Sequence, residues 1–309
     1  MSLLEHTDSE SDQRSDQSVI VLILSLPLKF FRIYVNFFKR RPLGAICSLI
    51  VLIMCVIGLF APLLAPHDPL RSEPPIRNLP PWSEHWFGTD LNGRDLLSRV
   101  IYGSRLSLLI GVSSVIIGTL FGSIWGLVSG YWGGGFDLIS QRLVEIWMSF
   151  PGIILAMTLL VIMGGGIIPV TIAISFGRVP SGTRVIRSVA IATREYTYVE
   201  AARAIGMSDA RIIIKHVLPS CISSFLILST ANIGGGIIAE ASLGFLGLGV
   251  PPPVATWGNM LSSNVLIALK PSWWLIVFPG LAIVITVLSF NLFGDALRDV
   301  LDPRLRGEH

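Results

Sequence analysis

Charge is scarce in this 309-residue chain: 14% of its residues are Asp, Glu, Lys or Arg, and only Lys29, Lys39, Lys215 and Lys270 are lysines. That scarcity, beside 52% hydrophobic residues and a mean hydropathy of +0.70, excludes an ordinary soluble domain. No lysine follows a glycine, so the GxxxxGK[ST] loop that cradles phosphates is absent. Cysteine is sparser still, with three residues. Cys47, Cys55 and Cys221 sit in apolar runs, where a free thiol behaves as a small hydrophobe, and no disulfide framework or zinc spacing is present. His6, His67, His85, His216 and His309 are scattered, with no metal-binding pair at helical spacing. No Ser/His/Asp grouping is legible, which makes an enzyme the weakest reading. The acidic start and the lack of a small-residue cleavage site argue against a cleaved signal peptide.

What the chain does have is long apolar runs. A span needs roughly 20 apolar residues, and runs near 43–64, 104–129, 138–163, 167–187, 218–248 and 273–294 predict an all-α polytopic membrane protein with six transmembrane helices. Six spans place both termini on one side. Segments 1–42 and 178–215 hold six and seven Lys or Arg residues, whereas 249–272 holds Lys270 alone. Enrichment of cations in cytoplasmic loops therefore predicts cytoplasmic termini and a cytoplasmic 178–217 segment, with the 65–100 loop outward despite Arg71, Arg77, Arg94 and Arg99. The net charge of +3 describes topology and does not point to nucleic acid.

Along the chain, residues 1–18 read as a disordered cytoplasmic tail. Residues 19–41 read as an interfacial amphipathic helix that places its cations at the lipid headgroups, in preference to a seventh span. Residues 42–297 form the transmembrane domain, with an outward loop at 65–100 and a hairpin loop at 188–217, and residues 298–309 form a cytoplasmic tail. Thr89 or Asp90 is expected to cap the second span and Asp137 the third. Gly164-Gly165-Gly166 reads as a tight outward turn. Arg178, Pro180 and Gly182 are expected to interrupt the fourth span, which then lies inside the bundle. Arg142 and Glu145, three residues apart, read as a structural ion pair.

The most informative stretch is Tyr198–Pro219, YVEAARAIGMSDARIIIKHVLP. It reads as a soluble helix–turn–helix between apolar segments, a docking element. Ala201 and Ala202 set two small side chains beside the Glu200 carboxylate, and Gly206 permits a sharp turn and close approach of another surface. A second helical run, 208–217, is expected to stop at Pro219.

Taken with WFGTDLNGRDLLSR, EASLGFLGLGVPPPVATWGNML and DALRDVLDPRLR, this stretch resembles the inner-membrane permease subunits of ATP-binding-cassette importers, in the dipeptide/oligopeptide branch and in particular the C-type member of the permease pair. The resemblance runs over nearly the whole chain from about Arg40. The family's EAA…G…LP motif falls on Glu200, Ala201, Ala202, Gly206, Leu218 and Pro219. It implies a type I importer permease that pairs with a homologous second permease and docks two cytoplasmic ATPases through its coupling helix. ATP and magnesium would be bound by those partners, and an extracytoplasmic binding protein would deliver the peptide. Nickel chelates and glutathione are alternative solutes of the same branch. Two positions depart from the pattern: Arg178-Val179-Pro180 replaces a Trp-Pro-type step, and His216 stands where an aliphatic residue is usual, with Val217 beside it.

Three further residues and one position stay open. Asp90, Arg94 and Asp95 read either as capping and ion-pairing groups or as an outer collar contacting the delivery partner. Glu240, enclosed by apolar sequence, reads either as a gate or pathway residue or as a structural hydrogen-bonding group. An ion-coupled secondary transporter would need chains of intramembrane acids and inverted repeats of broken helices, which are not legible, and a channel would need a filter or a charged ring. No catalytic, cofactor-binding or metal-ligating residue is expected in the chain.

Overall fold

The computed structural model of the protein describes residues 38, 41–266 and 272–301. The expected tail at 1–18, nearly all of the interfacial helix at 19–41 and residues 302–309 lie outside the described residues. Among the described residues the chain is helical, with one isolated bridge between Thr89 and Asp95 and no named strand. The helices are α1 (Pro42–Leu59), α2 (Ala61–Leu64), α3 (Leu96–Trp132), α4 (Gly134–Met148), α5 (Gly152–Met163), α6 (Ile167–Arg194), α7 (Thr197–Ala204), α8 (Asp209–Ile212), α9 (Leu218–Phe245), α10 (Trp257–Leu266) and α11 (Trp273–Leu301).

Four of these elements are long and apolar enough to cross a membrane: α1, α3, the 209–245 run that ends in α9, and α11. The expected third span is two helices. Met148 ends α4, Pro151 opens α5 with extended backbone, and the two meet at 85°. A proline disfavours helical backbone at the residue before it, here Phe150, and the helix ends ahead of it. Counted as one, this bent pair makes a fifth span. Of the expected six, the remaining one is α6, whose 28 residues are long enough but include Arg178, Arg184, Arg187 and Arg194.

The expected break in α6 does not occur, because the helix continues through Pro180. Proline removes one backbone donor, a loss tolerated at depth where protein encloses the turn. Here Pro180 is buried, and Thr183, which donates its Oγ1–H to the Val179 carbonyl, is fully buried against α3. The enclosure comes from a glycine ladder. Gly118, Gly122, Gly126 and Gly130 recur every fourth residue on α3, and a Cβ on each would lie 2.3, 2.2, 2.3 and 2.7 Å from the carbonyl oxygens of Ser175, Val179, Thr183 and Arg187 on α6. Both series advance in step, so α3 and α6 run parallel with their backbones in contact, the approach that small residues allow between membrane helices.

Around this pair, α9 packs across α3 and α11, α1 covers α11, and α5 rests on α6. Gly111 and Gly236 let α3 and α9 close in the same manner. Large apolar side chains such as Leu52, Phe121, Ile162 and Leu288 remain exposed on the outside, as a bilayer permits. The second helical run of the hairpin does not stop at Pro219. Residues 213–217 form a π-helical turn that joins α8 directly to α9, and Pro219 sits in the first turn of α9, where its missing donor is least needed.

Candidate functional site

The docking motif lies at one end of α3 and the 65–95 loop at the other, about 55 Å apart along a 37-residue helix. α7 ends as its sequence dictates. Gly206 has φ +82°, its N–H donates to Arg203 O over 3.0 Å, and Met207 N–H donates to Ala202 O over 3.1 Å. These two bonds form a Schellman cap, which favours glycine at the left-handed position. A Cβ on Gly206 would meet nothing within 4 Å, so glycine is required by the backbone conformation and leaves an open surface.

The hairpin is stapled from one side only. Val199, Ala202, Ile212 and Val217 are buried in an apolar plug with Leu127 and Tyr131 of α3, Ile186 and Ala190 of α6, and Cys221 of α9. Of the EAA residues, Ala202 therefore faces the bundle, whereas Glu200 and Ala201 are exposed together with Gly206, Leu218 and Pro219. Ile205, between them, is 80% exposed. The π-helical turn resolves the departure at His216: it is Val217 that enters the plug.

Polar bonds lock the plug's rim. Tyr131 Oη donates to Asp209 Oδ1 over 2.6 Å, and Arg194 Nη1 donates to the carbonyls of Gly130 and Tyr131. The Tyr131 hydroxyl also holds the exposed Arg203 guanidinium more firmly in its charged form, raising its pKa. Asp137 is not a cap. It lies inside the first turn of α4 and accepts from Arg187 Nε over 2.6 Å and from Ser129 Oγ. Arg142 and Glu145 do pair, at 2.8 Å, on an exposed face.

At the other end, Asp90, Arg94 and Asp95 are 3, 8 and 3% exposed. Asp90 accepts from the Asn92 and Arg94 N–H groups and from Arg94 Nε, and Arg99 Nε lies 3.4 Å away. Arg99 also donates to the Pro69 and Pro253 carbonyls, tying this loop to the one before α10. Asp95, not Thr89 or Asp90, caps α3 by accepting from Ser98 N–H, and its other oxygen lies 2.7 Å from His85 Nδ1. Trp274 likewise turns inward, its Nε1–H donating to Thr89 O, while Trp273 stays exposed.

Glu240 is 1% exposed near the end of α9 closest to this loop. Neither carboxylate oxygen makes a well-formed hydrogen bond, and the neighbouring polar groups are the hydroxyls of Ser107 and Thr256. Both hydroxyls are themselves fixed: Ser107 accepts from Trp257 N–H and Thr256 from Asn259 N–H. Glu240 thus stands where α3, α9 and the start of α10 meet. The glycine ladder escaped the sequence reading although its four-residue spacing is visible in the α3 segment.

A family model described as "Binding-protein-dependent transport system inner membrane component" matches residues 118–307, and one described as "N-terminal TM domain of oligopeptide transport permease C" matches residues 29–81. The chain is 40% identical over 270 residues to the probable D,D-dipeptide transport system permease protein DdpC of Escherichia coli K12, covering 87% of this chain and 90% of that one. It is also 40% identical over 274 residues to the glutathione transport system permease protein GsiD of Escherichia coli O1:K1, covering 87% and 89%. An inward-facing structure of the MetNI methionine ABC transporter shares the fold, with a TM-score of 0.54 at 20% identity over 66% of this chain and 96% of that chain. The chain therefore belongs to the binding-protein-dependent transport system inner membrane components, the membrane-spanning permeases of ABC transporters.

Proposed function

We propose that this chain is one of two homologous permease subunits of an importer for short peptides, and that the exposed face of α7 and its glycine turn docks an ATPase. The observation that carries the reading is the one-sided burial of the hairpin. Its inner residues plug into α3, α6 and α9, while Glu200, Ala201, Ile205 and Gly206 present a small, partly apolar face to the outside. A rigid plug of this kind passes movement of the docked ATPase to three long helices at once. Exchange between inward- and outward-facing bundles would follow, driven by the different affinity of the ATPase pair for each state.

The termini and the hairpin would lie in the cytoplasm, and the 65–95 loop would face a substrate-delivery protein. With Asp90, Arg94 and Asp95 spent on internal bonds, that protein would meet neighbouring exposed groups such as Trp86. Glutathione, itself a small peptide, is the second reading, favoured by the 40% identity to glutathione permeases. Affinity purification of this chain in mild detergent, with mass spectrometry and an ATPase assay, tests the assembly. Recovery of a second permease and ATPase subunits is expected. A stable transport-competent complex lacking any ATPase would overturn the proposal and favour ion coupling.

A further inference from the structure

Arg178 carries a positive charge at membrane depth that nothing among the described residues neutralises. It lies eleven residues into α6, about 17 Å along its axis, near the middle of a bilayer core of about 30 Å. Its Nη1–H donates to Asn232 Oδ1 of α9 over 3.0 Å. Asn232 is held for this role, because its amide nitrogen donates to Leu228 O over 2.7 Å and leaves Oδ1 aimed at the guanidinium. Gly235, one turn further, leaves space for the same group: a Cβ there would lie 2.7 Å from Arg178 Nη2.

Among the described residues no acid pairs with this charge. α3 and α6 contain no Asp or Glu, and α9 contains Glu240 alone, eight residues beyond Asn232 or about 12 Å along the helix. A guanidinium has five N–H donors, and the one described acceptor here takes a single one. Arg178, Asn232 and Gly235 are all half-buried, so the cleft between α6 and α9 is open on one side. An intramembrane charge is costly and is kept facing a bundle interior or a water-filled path.

We propose that Arg178, positioned by Asn232 and given room by Gly235, is a carboxylate-binding subsite in the translocation path. A planar fork of donors matches a carboxylate in two-pronged geometry, and every peptide with a free C-terminus carries one. This rests on the peptide-importer reading for its ligand, though not for its location. The site gives the passing solute a weak station at mid-membrane and disfavours solutes whose terminus is neutral or cationic.

The test uses the complex purified with its co-purifying subunits and placed in liposomes, with Cys47, Cys55 and Cys221 replaced by serine and Leu228→Cys introduced one helical turn before Asn232, which is left in place. Modification of that cysteine by an anionic and a cationic methanethiosulfonate is timed in nucleotide-free and ATP-bound states, by mass on this chain. Focusing by the guanidinium is expected to favour the anionic reagent by about tenfold, and Arg178→Gln to abolish the preference while Arg178→Lys keeps part of it. In the complex with its native cysteines and Leu228, Arg178→Gln is expected to lower alanyl-alanine uptake by about fivefold or more and to leave alanyl-alaninamide uptake unchanged. No labelling by either reagent, or a preference indifferent to Arg178, overturns the subsite. So does failure of both the Gln and Lys variants to assemble, which would assign the charge to an acid of the partner permease. If the anionic preference holds but the unsubstituted complex moves no alanyl-alanine, the carboxylate site stands and the peptide reading falls.

Discussion

Gly122 and Val179 are held so close that a single methyl group would separate two helices: a Cβ on Gly122 would lie 2.2 Å from the Val179 carbonyl oxygen, on the helix that carries Arg178 and Pro180. The contact sits in the middle of a four-step ladder and fixes both the spacing and the register of α3 against α6.

Gly122→Ala is accordingly expected to force the two helices apart and lower stability by about 1–3 kcal/mol or more, as overpacking does. Gly135→Ala, where nothing lies within 4 Å of the new Cβ, should leave the protein unchanged. Yield of monodisperse protein after heating in detergent distinguishes them, and equal behaviour would contradict the ladder.

Gly206 sets up a different experiment, since its Cβ position is open but its φ is +82°. Gly206→Asn keeps a residue that tolerates left-handed backbone and should fold and transport. Gly206→Asp should also insert, yet place a charge on the proposed docking face and separate ATP hydrolysis from uptake. Coupled uptake in the aspartate variant would contradict docking at this turn.

Tyr131→Phe removes the 2.6 Å bond to Asp209 while keeping the ring in the plug. A stability loss of about 1 kcal/mol is expected, with more ATP hydrolysed per solute imported because the hairpin is less rigidly tied to α3. Unaltered stoichiometry would mean that the apolar plug alone transmits the motion.

Asp90→Ala leaves the Arg94 and Arg99 guanidinium groups, both buried, without their shared carboxylate. Breaking a buried pair in this manner costs about 3–5 kcal/mol. Proteolysis of the 65–95 loop should rise sharply, whereas Arg71→Ala, on an exposed pair, should leave it unchanged.

Apolar run length and one glycine-bearing motif made the helical membrane class, the place of the hairpin along the chain and the turn at Gly206 legible in the sequence alone. These are local properties: a run is long enough or it is not, and a left-handed turn favours glycine wherever it occurs. What only the tertiary structure decided were matters of partnership. The capping role passed from Thr89 or Asp90 to Asp95 because Asp90 is consumed by two arginines. α6 ran on through Pro180 because the backbone of α3 lies against it. Pro151 bent a span that hydropathy would draw straight. Only the packing of α6 and α9 against α3 shows that, among the described residues, Arg178 meets an amide and a glycine and no acid; the sequence places these residues more than fifty positions apart, and the glycine contacts of α3 with both helices bring them together.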